Sequence, residues 1–209
     1  MILIGQYDSP FVRRVAIALR LYGLPFEHRP WSTFSEAVNI AQFNPLCRVP
    51  TLVLDNGEVA IESGAILDYL DETAGPSRAM IARGGELRRQ ALKVCALATG
   101  LADKAVSLVY ENALHQTISD QWVERCRTQI FAALNALDTD RARTATRFWA
   151  GDAIGHADIA VACALRFICD AHPGLFDVKR WPALASHLAI CEQLSVFQEI
   201  AQPFNPPRR

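Results

Sequence analysis

The feature that most constrains this chain is a change of apolar pattern across residues 74–85, where Gly75-Pro76 and Gly84-Gly85 interrupt it. Before this stretch, short apolar runs alternate with amphipathic ones. After it, every apolar repeat has helical spacing. That change predicts an α/β unit followed by an all-helical one, with residues 1–78 as the first domain, 79–85 as a linker and 86–209 as the second. Met1–Ile4 is a short apolar run closed by Gly5 and reads as a strand. Ser9-Pro10 reads as a helix start, serine as the cap and proline in the first helical position. Val12, Val15, Ala16 and Leu19 then form an apolar stripe, with Arg13, Arg14 and Arg20 on the other face and Gly23 as the stop. Phe26–Arg29 is a second strand, parallel to the first because a helix connects them. Ser35–Phe43 is a short helix ended by Asn44-Pro45. Thr51–Leu54 and Val59–Ile61 flank Asp55-Asn56-Gly57 as a hairpin, and Ser63 opens a helix through Ile66–Glu72. The order is βαβαββα.

Beyond the linker, Leu87, Ala91, Val94, Ala98, Leu101, Ala105 and Leu108 recur at steps of three and four, predicting a helix of about 28 residues, roughly 42 Å long. A second helix covers about Asp120–Leu137. A third starts near His156 and runs through the almost wholly apolar Ile159–Cys169, the mark of a buried central helix. A shorter one follows Trp181-Pro182 to about Leu194, and the tail from Pro203 to Arg209 reads as extended.

Composition narrows the function classes. Apolar residues make up 51% of the 209 and charged residues 21%, which is globular and not disordered. A net charge of −1 gives no electrostatic footprint for nucleic acid. No uncharged apolar run reaches membrane-spanning length and no leader pattern opens the chain, so a cytoplasmic protein without a membrane partner is expected. Six cysteines (Cys47, Cys95, Cys126, Cys163, Cys169, Cys191) include no CxxC pair, and His115, His156, His172 and His187 lack metal-ligand spacing, so no metal site is expected.

Three segments of the first domain carry candidate chemistry. Tyr7-Asp8-Ser9-Pro10-Phe11 sets a hydroxyl and free amides at a helix start, which favours an anion. Arg48-Val49-Pro50-Thr51 enters the third strand; a cis Val49–Pro50 bond would offer Val49 as an edge to a peptide-like ligand. Ile61-Glu62-Ser63-Gly64 places a carboxylate before a helix N-terminus, a pair suited to the ammonium and the carboxylate of an amino acid.

These segments, written YDSPFVRRVAIAL, FNPLCRVPTLVLDNG and AIESGAILDYLDE, together with GDAIGHADIAVACAL in the second half, resemble the cytosolic glutathione transferases over nearly the whole chain and in the right order. The SPF segment resembles the serine-type members common in bacteria and plants. The resemblance implies a thioredoxin-like first domain and an all-α second domain. It implies Ser9 as the catalytic residue, donating to the glutathione sulfur, while Val49 beside cis-Pro50 pairs with the cysteinyl backbone and Glu62 with Ser63 holds the γ-glutamyl end. Phe11 offers its backbone amide and Arg48 the glycyl carboxylate contact. Leu101, Val106 and Tyr110 of the long helix are expected to line the pocket for a small electrophilic substrate. Glutathione is then a co-substrate and the protein a homodimer. Tyr7 is a rival to Ser9, and Trp31 and Ser32 border the site or pack. Cys47 stands where the family usually has glycine. Asp158 resembles the aspartate of the family's helix-capping box, with Gly155 in place of the usual serine or threonine. Competing functions are a non-catalytic binding or regulatory member of the fold, a glutathione-dependent peroxide or thiol reductase, and a carrier of apolar ligands.

Overall fold

The structure, a computed structural model, describes residues 1–207. Strand β1 (Ile2–Ile4) leads into helix α1 (Pro10–Tyr22), then β2 (Glu27–Arg29), α2 (Ala37–Ala41), β3 (Thr51–Val53), β4 (Val59–Ile61) and α3 (Ser63–Ala74). The strands form one sheet in the order β2-β1-β3-β4. β1 runs parallel to β2, with Leu3 opposite His28, and antiparallel to β3, with Leu3 opposite Leu52. β3 and β4 are the antiparallel hairpin. Five helices follow: α4 (Gly85–Leu114), α5 (Asp120–Ala142), α6 (His156–Ala171), α7 (Pro182–Glu192) and α8 (Ser195–Glu199). The architecture is a thioredoxin-like α/β domain joined to an all-helical one.

Helix α1 starts where Ser9 accepts the Val12 amide and Pro10 takes the first turn. It does not present an arginine face to water, as its sequence pattern suggests. Arg13 and Arg14 are 4% and 5% exposed, because α1 is packed among α3, α6 and α8 and shares its core with Leu3 and Leu52 of the sheet. Arg13 forks onto Glu192 at 2.7 and 3.0 Å and also donates to the carbonyls of Ile200 and Phe197. Helix α6 is buried almost all round, packed on α1 and α4.

Two helical boundaries differ from the sequence expectation. α5 continues to Ala142, five residues past Leu137, where no apolar repeat extends it. Arg141 supports that last turn, its guanidinium donating to the carbonyls of Thr144, Thr146 and Arg147. α8 is separate from α7 and too short for periodicity to reveal; it buries Phe197 completely.

A polar cluster around Asp71 joins the two domains where α3 meets α6. Asp71 Oδ1 accepts from the Tyr22 hydroxyl and from the Met80 amide, and its Oδ2 lies 2.9 Å from His156 Nε2. Met80 in turn accepts from the His156 amide at 3.2 Å. Gly155 fits here because of space: a Cβ on it would stand 2.9 Å from the Met80 carbonyl. Asp158 keeps its half of the cap, its carboxylate accepting from the Gly155 and Trp149 amides, both at 2.9 Å. Residues 203–207 have no helix or strand, in keeping with an extended tail, while Arg208 and Arg209 lie outside the described residues. The tail is tied back to the first domain. The Tyr7 amide donates to Gln202 and the Asn205 amide donates to Asp8, while Phe204 meets Phe167 of α6 edge-on within the helical domain.

Candidate active site

Ser9 sits at the N-terminus of α1 with its oxygen 3.4 Å from the Val12 nitrogen. A hydroxyl accepts in that geometry while its proton remains to be donated. The amides of the first turn and the helix dipole favour negative charge beside it. Tyr7 is turned away: its ring lies flat on His28, centroids 3.9 Å apart, and burial raises its hydroxyl pKa.

The Val49–Pro50 peptide is cis. The main chain of Val49 makes no hydrogen bond to another described residue, which leaves its N–H and C=O as an unpaired edge. The side chain of Val49 anchors that edge against the start of the chain. Gly5, at φ +126°, leaves room for it, since a Cβ there would stand 2.8 Å from Val49 Cβ and 2.5 Å from Val12 Cγ2. Gly5 thereby brings the Val49 edge beside the helix that Ser9 caps.

Glu62 has φ 67° and Cys47 φ 51°, the left-handed region that side chains other than glycine seldom adopt. Both flank the candidate site. Strained backbone of this kind persists only where surrounding structure enforces it. Glu62 leads into α3, where Ser63 is 4% exposed. Arg48 and Glu62 meet each other at 3.2 Å as an exposed ion pair, so two residues assigned to opposite ends of a ligand stand side by side. Cys47 is half-buried, its Sγ 3.7 Å from the Ala37 carbonyl.

Phe11, Glu62, Ser63 and Gly64 line a cleft of about 380 Å³ between α3 and α4, whose floor includes Arg14, Asp71, Cys95 and His156. Leu92, Ala96 and Thr99 supply the α4 wall. Val106 and Tyr110 continue that helical stripe beyond the cleft, and Tyr110 meets Phe34 edge-on at 5.4 Å across the domains. Leu101 is on another side of α4, 1% exposed within the helical core. We correct its expected place in the substrate pocket to core packing: the three-and-four repeat marks the buried face of α4, and pocket residues lie off that face.

The first-domain family model for glutathione S-transferases matches residues 3–78, and its C-terminal counterpart matches residues 120–189. A glutathione S-transferase-like protein of Escherichia coli, YibF, is 33% identical over 80% of this chain and 82% of its own length. The chain belongs to the glutathione S-transferase family. Solved members of the family share its shape. A glutathione S-transferase from Methylobacterium radiotolerans, in complex with glutathione sulfonate, superposes with a TM-score of 0.89 over 98% of this chain and 97% of that one at 26% identity. A family member from Pseudomonas fluorescens with bound glutathione gives 0.83 over 97% and 99%, at 30% identity.

Within this transferase-family fold, the structure brings Phe11, Glu62 and Ser63 to one cleft, with Arg48 on its rim through Glu62. It sets Val49 and Pro50 beside α1 through Gly5. Sequence reasoning missed Arg14, Asp71, Thr99 and Phe34. Asp71 and Thr99 carry no local signal. Arg14 was legible as a charge in an apolar helix, yet its burial comes from residues far along the chain.

Proposed function

We propose that this chain is a glutathione transferase of the serine type, in which Ser9 holds the glutathione sulfur as thiolate. The observation that carries the reading is Ser9 itself: a helix cap with an undonated hydroxyl proton, beside the unpaired Val49 edge. Val49 pairs with the cysteinyl backbone, Glu62 and Ser63 take the γ-glutamyl ammonium and carboxylate, Arg48 faces the glycyl end and Phe11 closes the cleft. A free thiol near pKa 8.5 is only a few per cent ionised at neutral pH. One charge-assisted bond of roughly 1.5–3 kcal/mol plus about 0.3–1 kcal/mol from the helix dipole lowers that pKa by about one to three units. Solvent takes the proton. The thiolate forms a carbon–sulfur bond to the electrophile, and the displaced group leaves with its electron pair. Val106 and Tyr110, with Phe34, supply the wall for a small apolar electrophile. A homodimer and a cytoplasmic location accompany this reading through the family. Among the described residues no helix is long and apolar enough to cross a membrane.

The test is an ultraviolet titration of thiolate against pH with glutathione bound, beside Ser9→Ala. The expected result is a depressed thiol pKa that returns upward by one unit or more in the variant. Equal curves for the two proteins would remove Ser9 from the chemistry. Absence of glutathione binding would turn the reading to a non-catalytic member of the fold.

A further inference from the structure

The turn that delivers Ser9 is closed by a backbone hydrogen bond from the Ser9 amide to the Gln6 carbonyl at 3.1 Å. Its two central residues, Tyr7 and Asp8, are both held from the far end of the chain. The Tyr7 amide donates to Gln202 Oε1 at 3.1 Å, and Asp8 Oδ2 accepts from the Asn205 amide at 2.9 Å. No other described residue accepts from the Tyr7 amide. The segment that supplies these partners is itself fixed. Arg13 donates to the Ile200 carbonyl at 2.8 Å just before it, and Phe204 within it lies edge-on to Phe167 of α6. Tyr7, Asp8 and Gln202 share one gap with Arg13, Arg166 and Asp170, and at about 10 Å³ it admits nothing larger than water. This is a contact and not a ligand site. Neither arginine is free for Asp8: Arg13 is taken by Glu192 and Arg166 by Asp170, each at 2.7 Å. Among the described residues Asp8 makes no ion pair. Burial raises its pKa, and the amides of Asn205, Asp8 and Ser9 oppose that rise. The carboxylate is thus committed to backbone amides, one from the tail and two from the turn.

We propose that the Gln202 side chain and the Asn205 amide are positioning groups for Ser9. They act through the turn and not on the sulfur. The inference rests on the role proposed above for Ser9. A hydrogen bond weakens steeply as its angle closes, so a hydroxyl that must meet a sulfur needs the backbone before it fixed. Tethers on two adjacent residues fix it. Loosening them leaves Ser9 at the cap of α1 but spreads the direction of its hydroxyl. The bound thiol then loses part of its stabilisation as thiolate, while the peptide contacts of Val49, Glu62 and Ser63 stay as they were.

Two measurements on the full chain test this: ultraviolet titration of the bound glutathione thiol, and calorimetric affinity for S-methylglutathione. The thioether keeps the peptide contacts and has no thiol to ionise. Gln202→Met removes the acceptor at nearly equal length. Asn205→Pro removes the amide hydrogen, and Asn205→Ala keeps it. Gln202→Met and Asn205→Pro are each expected to raise the bound thiol pKa by about half a unit to one unit, a roughly three- to tenfold smaller ratio of thiolate to thiol. Asn205→Ala is expected to titrate as the wild type does, and all three to bind S-methylglutathione within about twofold of it. A wild-type thiol pKa in both Gln202→Met and Asn205→Pro, beside a raised one in Ser9→Ala, overturns the proposal and leaves the role of Ser9 standing. Equal curves for the wild type and Ser9→Ala remove both. A matching loss of S-methylglutathione affinity in the tail variants also overturns it, because the tail then supports the whole site and not Ser9 in particular. Asn205 is exposed and Gln202 half-buried. Should Asn205→Pro fail to fold, Gln202→Met decides alone by the same comparison.

Discussion

Gly5 is where three segments of the first domain converge, and its lack of a side chain is what lets them meet. In Gly5→Ala a methyl would press to 2.5 Å from Val12 and 2.8 Å from Val49, at a φ of +126°. Overpacking and the backbone penalty together predict a loss of about 3 kcal/mol, read from a urea unfolding midpoint. Cys47 shows the opposite case. Its φ of 51° lies in the region glycine adopts freely, and Cys47→Gly is expected to stabilise by up to about 1 kcal/mol in the same assay. Ser9, Val49, Glu62 and Ser63 were legible because each sits at a local punctuation mark: a cap, a proline, a helix start. Arg14 was not, because an arginine's environment is set by what packs over it.

Between elements, the contact of α6 with α7 turns on His187. It is almost completely buried, 3.4 Å from the Asp158 carbonyl, with the Trp149 ring edge-on to it. Burial, the largest influence, lowers its pKa to about 4. An unfolded histidine titrates near 6.5, so between these values the unfolded chain binds the extra proton and the native one does not. Stability is therefore full above about pH 6.5 and falls by about 3 kcal/mol as pH drops to 4. His187→Gln should flatten that limb in urea midpoints taken across pH 4–7. The starts of α1, α6 and α7 were plain from Ser9-Pro10, from Gly155 with Asp158, and from Trp181-Pro182. The end of α5 and the charged side of α1 were not. Arg13 is sheltered by Glu192, 179 positions away, and no local window contains that pairing.

For the molecule as a whole, Asp71 is the joint. Burial works against its ionisation, but His156, Tyr22 and the Met80 amide outweigh that and hold its carboxyl below the usual carboxylate range. Its stabilisation is thus present above about pH 4 and lost as pH falls through the lower native value. Asp71→Asn is expected to cost about 1–3 kcal/mol at neutral pH and to show a shallower acid limb below pH 4, measured by thermal melts over a pH series. The C-terminal tail makes a further point about how the molecule comes into being. Gln202 and Asn205 brace the loop of Tyr7 and Asp8, immediately before Ser9, across a separation of 195 residues or more. A ribosome therefore delivers Ser9 long before the residues that steady its loop. During synthesis the nascent first domain carries every motif of the candidate site without that bracing, and a chain that stops short of residue 202 lacks both hydrogen bonds to the loop before Ser9.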